Sequence, residues 1–231
     1  MLNQKLSSLL KNGLPAALLE VALIFLGITL AIGLDNWNEE RKERSEELAL
    51  LVELKSNLEE NLGLLSGNIS YNKSTIASYT SLLSSMGGRE SHSDDLSSDF
   101  VMLDHWGSPY LTSSAYETLK SRGLDLISDR ALRQQIVKLF EVVYVRLAND
   151  HDRAEWINYQ VSTVPLMLKH FEENSDGTVV PIDYESLLDD KGFRVAVKRT
   201  LMLRQSGIGK FERAAEATTR VIDSISEVTG L

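Results

Sequence analysis

Residues 14–34 read LPAALLEVALIFLGITLAIGL, an apolar run of membrane-spanning length broken by one charge, Glu20. About 20 apolar residues carry a helix across the hydrocarbon core of a bilayer. A helix apolar on all sides must be buried in protein or in lipid. Pro15 suits a first helical turn, where its missing N–H is not needed. Trp37 lies just past the run, where an indole anchors among headgroups, and the charged stretch Glu39-Glu40-Arg41-Lys42-Glu43-Arg44 ends it. A buried core helix and a cleaved signal peptide are the alternatives. Ala31-Ile32-Gly33 offers a small-x-small site, but the run is longer than a usual signal core. The reading is a single-span anchor at 14–35 behind a short tail at 1–13.

Lys5 and Lys11 precede the run, and Arg41, Lys42 and Arg44 follow it, so the positive-inside count is nearly balanced. A short basic tail before an apolar run behaves as a signal anchor. The expected topology has the amino terminus in the cytoplasm and the remainder outside. Within the run, Glu20 is the polar candidate, because an ionisable group at membrane depth faces a protein interior or a water path. Gly27 with Ala31, and Thr29 with Gly33, have the small-xxx-small spacing that lets spans approach closely. Trp37 is the interface anchor.

Downstream, Leu48, Leu51, Lys55, Leu58, Leu62, Leu65, Ile69, Asn72, Ile76, Tyr79, Leu83 and Met86 alternate in steps of three and four. That is a heptad seam, and it predicts a long helix over 36–86. Leu50, Val52, Leu54 and Leu64 widen the stripe, which favours a bundle within the chain over a coiled coil between chains. Gly63 and Gly67 are places for a bend. Residues 84–98, SSMGGRESHSDDLSS, read as a break, with a flexible loop at 87–98 and a solvated His92.

The remainder, 99–231, reads as helices. Residues 99–106 form a short apolar helix or turn. Ser114 and Glu117 have capping-box spacing, Gly123 is a helix stop, and Ser128 or Asp129 caps the next helix. Ile136, Phe140, Val143, Leu147 and His151 form one stripe. Pro165 is expected to kink or end that segment. Turns are expected at 174–177 and 189–192, then a last helix with a possible kink at Gly207 and Gly209. No alternating stretch is long enough for a sheet. The fold class is all-α: a transmembrane helix continuing into a long helix, then an antiparallel helical bundle.

Glu20, Gly27, the exit DNWNEERKER at 35–44, and Ala115, Tyr116, Leu119, Lys120, Gly123, Leu124, Leu126, Ile127, Leu132 and Arg133 together resemble an uncharacterised family of bacterial membrane-anchored proteins. Asp35 stands where the family pattern has Asn. The resemblance implies anchoring in the bacterial inner membrane. It brings no catalytic residues.

Chemistry is sparse. The chain lacks cysteine, which excludes disulfides and thiolate sites, and its net charge of -9 argues against nucleic acid. Gly207-Ile208-Gly209-Lys210 is too short for a phosphate loop. Asp104-His105 and Asp150-His151-Asp152 are suggestive, but neighbouring residues do not share a helix face. The motif Ala115-Tyr116-Glu117-Thr118-Leu119-Lys120 suits a buried polar junction, and Tyr116, Lys120 and Arg133 read as structural and not catalytic. No catalytic residue, metal site or cofactor is expected. The expected partners are the lipid bilayer and a second copy or another membrane protein. The functional expectation is a non-enzymatic scaffold, accessory subunit or sensor-like module, more readily periplasmic than cytoplasmic. The alternative is an oligomeric ion or proton pathway with Glu20 facing its interior.

Overall fold

A computed structural model describes the backbone of residues 2–104, 107–175 and 178–230, with side chains except those of 2–18, Asp94 and Asp104. The elements are the helices α1 (Leu2–Gly88), α2 (Asp94–Val101), α3 (Ser114–Arg122), α4 (Arg130–Lys138), α5 (Arg153–Asn158), α6 (Val164–His170), α7 (Tyr184–Asp189) and α8 (Lys191–Thr229), and the strands β1 (Phe171–Glu173) and β2 (Val179–Pro181). Between α4 and α6 the backbone stays helical, with π segments at Leu139–Tyr144, Leu147–Asp152 and Tyr159–Thr163. The all-helical expectation holds, with one addition. Phe171 pairs with Pro181 and Glu173 with Val179 in an antiparallel hairpin too short to leave an alternating signature.

The chain divides into two compact units, Met1–Ala49 and Leu50–Leu231. In the first, α1 carries the one described segment long and apolar enough to cross a membrane. Its large apolar side chains from Leu19 to Leu34 are all exposed, Phe25 at 73%.

In the second unit, residues 50–88 of α1, the run 130–170 and α8 pack lengthwise. Gln135 meets Ser224, Tyr144 meets Thr218 and Asn158 meets Thr200, so the middle run and α8 are antiparallel. Arg204 reaches Asn72 and Arg194 reaches the Met86 carbonyl, which sets α8 antiparallel to α1 as well.

Two apolar cores result. One gathers Leu51, Leu58, Leu65, Tyr116, Phe140 and Phe211. The other gathers Tyr79, Met86, Phe100, Phe171, Leu188 and Phe193.

The buried stripe of α1 differs from the expected seam in half its positions. Leu51, Leu58, Leu65, Asn72, Tyr79 and Met86 are buried, as the heptad requires. Their partners on the stripe are Leu54, Asn61, Thr75 and Leu82, one residue before the expected Lys55, Leu62, Ile76 and Leu83, which are only half-buried. A pattern search prefers the more apolar row. Asn61 and Thr75 enter the interior because each finds hydrogen bonds there.

Two local expectations, the loop at 87–98 and the helix end at Pro165, are corrected. The break after α1 is confined to 89–93, because Ser93 caps α2 by accepting from Leu96 N, and Asp94 onward is helical. His92 is exposed, as expected, and its ring meets Phe100 and Tyr184, with Nε2 3.2 Å from Ser97 Oγ. Pro165 does not end its helix. It sits in the first turn of α6, directly after a π segment, where its N–H is dispensable. Gly207 and Gly209 lie within the unbroken α8. His105, Trp106 and part of the expected turn at 174–177 lie outside the described residues.

Candidate functional site

The site is built from α1 outward. Asn57 and Asn61 lie one turn apart on α1 and hold the start of α3. Asn61 accepts from Thr112 N at 2.8 Å and donates to Thr112 O at 2.9 Å. Asn57 Oδ1 accepts from Ser114 Oγ at 2.9 Å and Ala115 N at 3.1 Å. This replaces the expected capping box. Ser113 occupies the cap position without a side-chain bond, and the orphan N–H of Ala115 is satisfied from α1 instead. Gly123 ends α3 at φ +106°, a conformation that favours glycine, and Asp129 caps α4 by accepting from Ala131 N and Leu132 N.

This frame places α3 beside the first π segment. The Tyr116 ring stacks on Phe140, with centroids 4.3 Å apart and planes 3° apart. Phe140 meets Tyr144 edge-on at 5.2 Å. Tyr116 Oη donates to Glu141 Oε1 at 2.9 Å. Lys120 Nζ lies 3.3 Å from Glu141 and 3.2 Å from Glu117, and 5.2 Å from the Tyr116 ring centre. Arg133 pairs with Asp125.

Tyr116, Glu117, Lys120, Phe140, Glu141 and Tyr144 line an open groove of about 450 Å³, which also carries Ser108, Leu147 and Asp152. Ser108 Oγ donates to Asp152 Oδ2 at 3.0 Å. Burial, together with the hydrogen bond to Glu141, pushes the Tyr116 hydroxyl well above its usual range. Hydrogen bonds to Glu117 and Glu141 raise Lys120, and those from Tyr116 and Lys120 lower Glu141. Burial raises Asp152, against the Ser108 bond and the charge of Arg204.

Next in chain order from Asp152 comes a buried polar layer. His151, Glu155 and Asn158 follow one another at helical spacing and are 3%, 2% and 5% exposed. From α8, Arg204 Nε lies 3.4 Å from Glu155 Oε2, and Arg204 donates to Asn72 Oδ1 at 3.3 Å. Asn158 donates to Thr200 Oγ1 at 2.8 Å. Tyr71 Oη, Glu155 Oε1 and Asn158 Oδ1 are buried without a hydrogen-bond partner among the described residues.

His151 meets Phe211 edge-on at 5.3 Å and lies over Gly207, where a Cβ would fall 2.3 Å from Nε2. The absence of a side chain on Gly207 makes room for this close packing. Burial, then Lys210 and Arg204, push His151 down to about 4. Burial raises Glu155, opposed first by Arg204. Among the described residues, no three His, Asp or Glu side chains converge as metal ligands.

A model of DUF6090, a family of unknown function, matches residues 20–165. The chain belongs to this family. The DUF6090 region holds the whole groove lining and, from the polar layer, Asn72, His151, Glu155 and Asn158, whereas Thr200, Arg204 and Gly207 lie beyond it. No curated protein and no solved structure matches the chain.

Tyr116 and Lys120 thus have a polar junction around them: the Tyr116 ring is buried in the apolar core, and its hydroxyl meets the exposed Glu141, which Lys120 also pairs with, at the groove wall. The expected membrane residues lie in the other unit. Glu20, Gly27, Thr29, Ala31, Gly33 and Trp37 are all exposed, and Thr29 Oγ1 donates to Phe25 O at 2.8 Å. Nothing lies within 4 Å of a Cβ built on Gly27 or Gly33. The sequence reading passed over Glu141, Glu155 and Arg204. A signal for one of them was present: Glu155 stands four residues after His151, on the same helix face.

Proposed function

We propose that the chain is a non-enzymatic, membrane-anchored interaction module: a scaffold, accessory subunit or sensor-like protein held by residues 14–35. The exposed apolar surface of α1 from residue 19 to 34 carries this reading. Such a surface, apolar on every side, is stable in hydrocarbon and not in water. The proposed setting is the bacterial inner membrane, with the second unit on the periplasmic side and a second copy or another membrane protein as partner. The groove supplies a contact site, being concave, aromatic and served by few charges. Three of its groups are poorly placed for general acid–base work, whereas burial moves Asp152 toward the useful range. Tyr116 and Lys120 are raised and Glu141 lowered, each away from the neutral range where such a group is useful.

The test is membrane retention and assembly. The intact chain stays with membranes through an alkaline carbonate wash and, in lipid nanodiscs, has the native mass of an oligomer or a defined complex. Gly27→Ile lowers that mass. Release by the wash overturns the anchor, and a lone monomer overturns the interaction role.

Glu20 favours a second reading. It is the one ionisable group in the apolar run, and α1 leaves it exposed. In an oligomer it would line an ion or proton path. Purified protein in planar bilayers would conduct with a pH dependence that Glu20→Gln abolishes. Silence across pH ends this reading.

A further inference from the structure

The groove is lined by three carboxylates, Glu117, Glu141 and Asp152, and one cation, Lys120. Lys120 is already committed between Glu117 and Glu141, over the Tyr116 ring. That arrangement shows what this wall holds well: an ammonium between a carboxylate and an aromatic face. Asp152 has no such partner. Its one described hydrogen bond comes from Ser108 Oγ, and no basic group stands within ion-pair distance among the described residues. Arg204 acts on it through space, but its side chain is 3% exposed and turned to Glu155 and Asn72.

A half-buried carboxylate in an aromatic groove has lost solvation that a cation would restore. An anion would meet an excess of negative charge, and a neutral ligand would leave Asp152 uncompensated. The cavity of about 450 Å³ is of small-molecule size.

We propose that the groove binds a small organic cation, a primary ammonium on an apolar or aromatic stem, with Asp152 as counter-ion and the groove's accessible apolar wall, Tyr110, Leu111 and Val145, as its bed. This deepens the interaction-module reading and rests on it. The ammonium donates to Asp152, and the stem replaces water along that wall.

The experiment is calorimetric titration of the full chain in nanodiscs, with empty nanodiscs as the blank for lipid partitioning. Three probes of similar size differ in charge: 2-phenylethylamine, 2-phenylethanol and 3-phenylpropionate. The amine is expected to bind at least about tenfold more tightly than the alcohol, and the acid not at all. Asp152→Asn should bring the amine down to the alcohol's affinity while leaving the alcohol unchanged. The probe series on the natural chain reads the charge preference even if that variant misfolds. Equal binding of amine and alcohol, binding of none, or an unaffected folded Asp152→Asn overturns the assignment. N-acetyl-lysine amide is the fourth probe. Tighter binding of it than of phenylethylamine assigns the groove to a protein lysine and overturns the small-molecule ligand. These failures leave the anchored-module reading standing, since that reading fails instead by carbonate release or a lone monomer.

Discussion

Leu51, Leu58 and Leu65 on α1 are fully buried, and so are Asn72 and Thr75, about two and three turns beyond Leu65. The first three sit in an apolar core with Phe140 and Phe211, where any well-shaped hydrocarbon would serve. Asn72 belongs to a layer in which Asn72 answers Arg204, Arg204 answers Glu155, and Asn158 answers Thr200, while Thr75 donates to its own helix at Tyr71 O. Equal burial therefore hides two kinds of stability. The core loses energy in proportion to the volume removed. The layer loses it when one partner is taken from another, because the group left behind is buried and uncompensated. The layer also fixes the relative position of α1, the middle run and α8, which a greasy interface alone would leave freer.

The largest expected effect is Arg204→Ala. It leaves the Glu155 carboxylate and Asn72 Oδ1 without their cation, at a cost of about 4 kcal/mol in urea unfolding of the full chain in detergent. The double change of Arg204→Met with Glu155→Gln should recover much of it. A single-variant loss under about 1 kcal/mol would mean that water reaches the layer, and the contrast would collapse.

Leu58→Ala tests the core side, with an expected loss of about 3 kcal/mol by the same measurement. A loss as small as an exposed leucine gives would show that the core relaxes into the gap.

Gly207→Ala sharpens the comparison where core and layer meet. Its Cβ would sit against the His151 ring, so about 2 kcal/mol should be lost. His151→Ala makes room, and the pair should be strongly non-additive in a double-mutant cycle. Simple additivity would mean that the two residues do not touch.

The smallest effect is in pH. The folded chain holds His151 neutral down to about 4, whereas the unfolded chain protonates it near 6.5. Its contribution is therefore complete above 6.5 and is lost as the pH falls toward 4. The loss between pH 7 and pH 6 is less than about 1 kcal/mol. Glu155 runs the other way. Its folded pKa lies above 4.5, so its contribution is largest below 4.5 and fades as the pH rises through the folded value. Urea midpoints measured against pH should fall less steeply on the acid side in His151→Gln. Superimposable profiles for that variant and the natural chain would remove His151 from the account.

Part of the site was legible in the chain. The motif Ala115-Tyr116-Glu117-Thr118-Leu119-Lys120 marked one groove wall, Gly123 its end, and Asp129 the next cap. Asp150-His151-Asp152 was suggestive, and neighbouring side chains do diverge: Asp150 is exposed, His151 buried, and Asp152 in the groove. The stripe through Ile136, Phe140 and Leu147 was right, but Val143 is only half-buried while Tyr144 is buried. π segments shift the register there, and a simple 3.6-residue count does not carry through them.

The sequence by itself determined what depends on neighbours along the chain. These are the apolar run at 14–34, the heptad phase shared by Leu51, Leu58, Leu65, Tyr79 and Met86, the helix stops and caps, and membership in an uncharacterised family. Periodicity and composition encode such features locally. Only the tertiary structure decided that Asn61 and Asn72 belong inside and that Asn57 and Asn61, more than fifty residues upstream, hold the start of α3. It also decided that Gly207 is small for the sake of His151, and that Asp152 stands in a groove with no cation within ion-pair distance of it among the described residues. Each of these depends on a partner distant in sequence. A polar residue is excluded from a core by its own solvation and admitted only by the atom that meets it there.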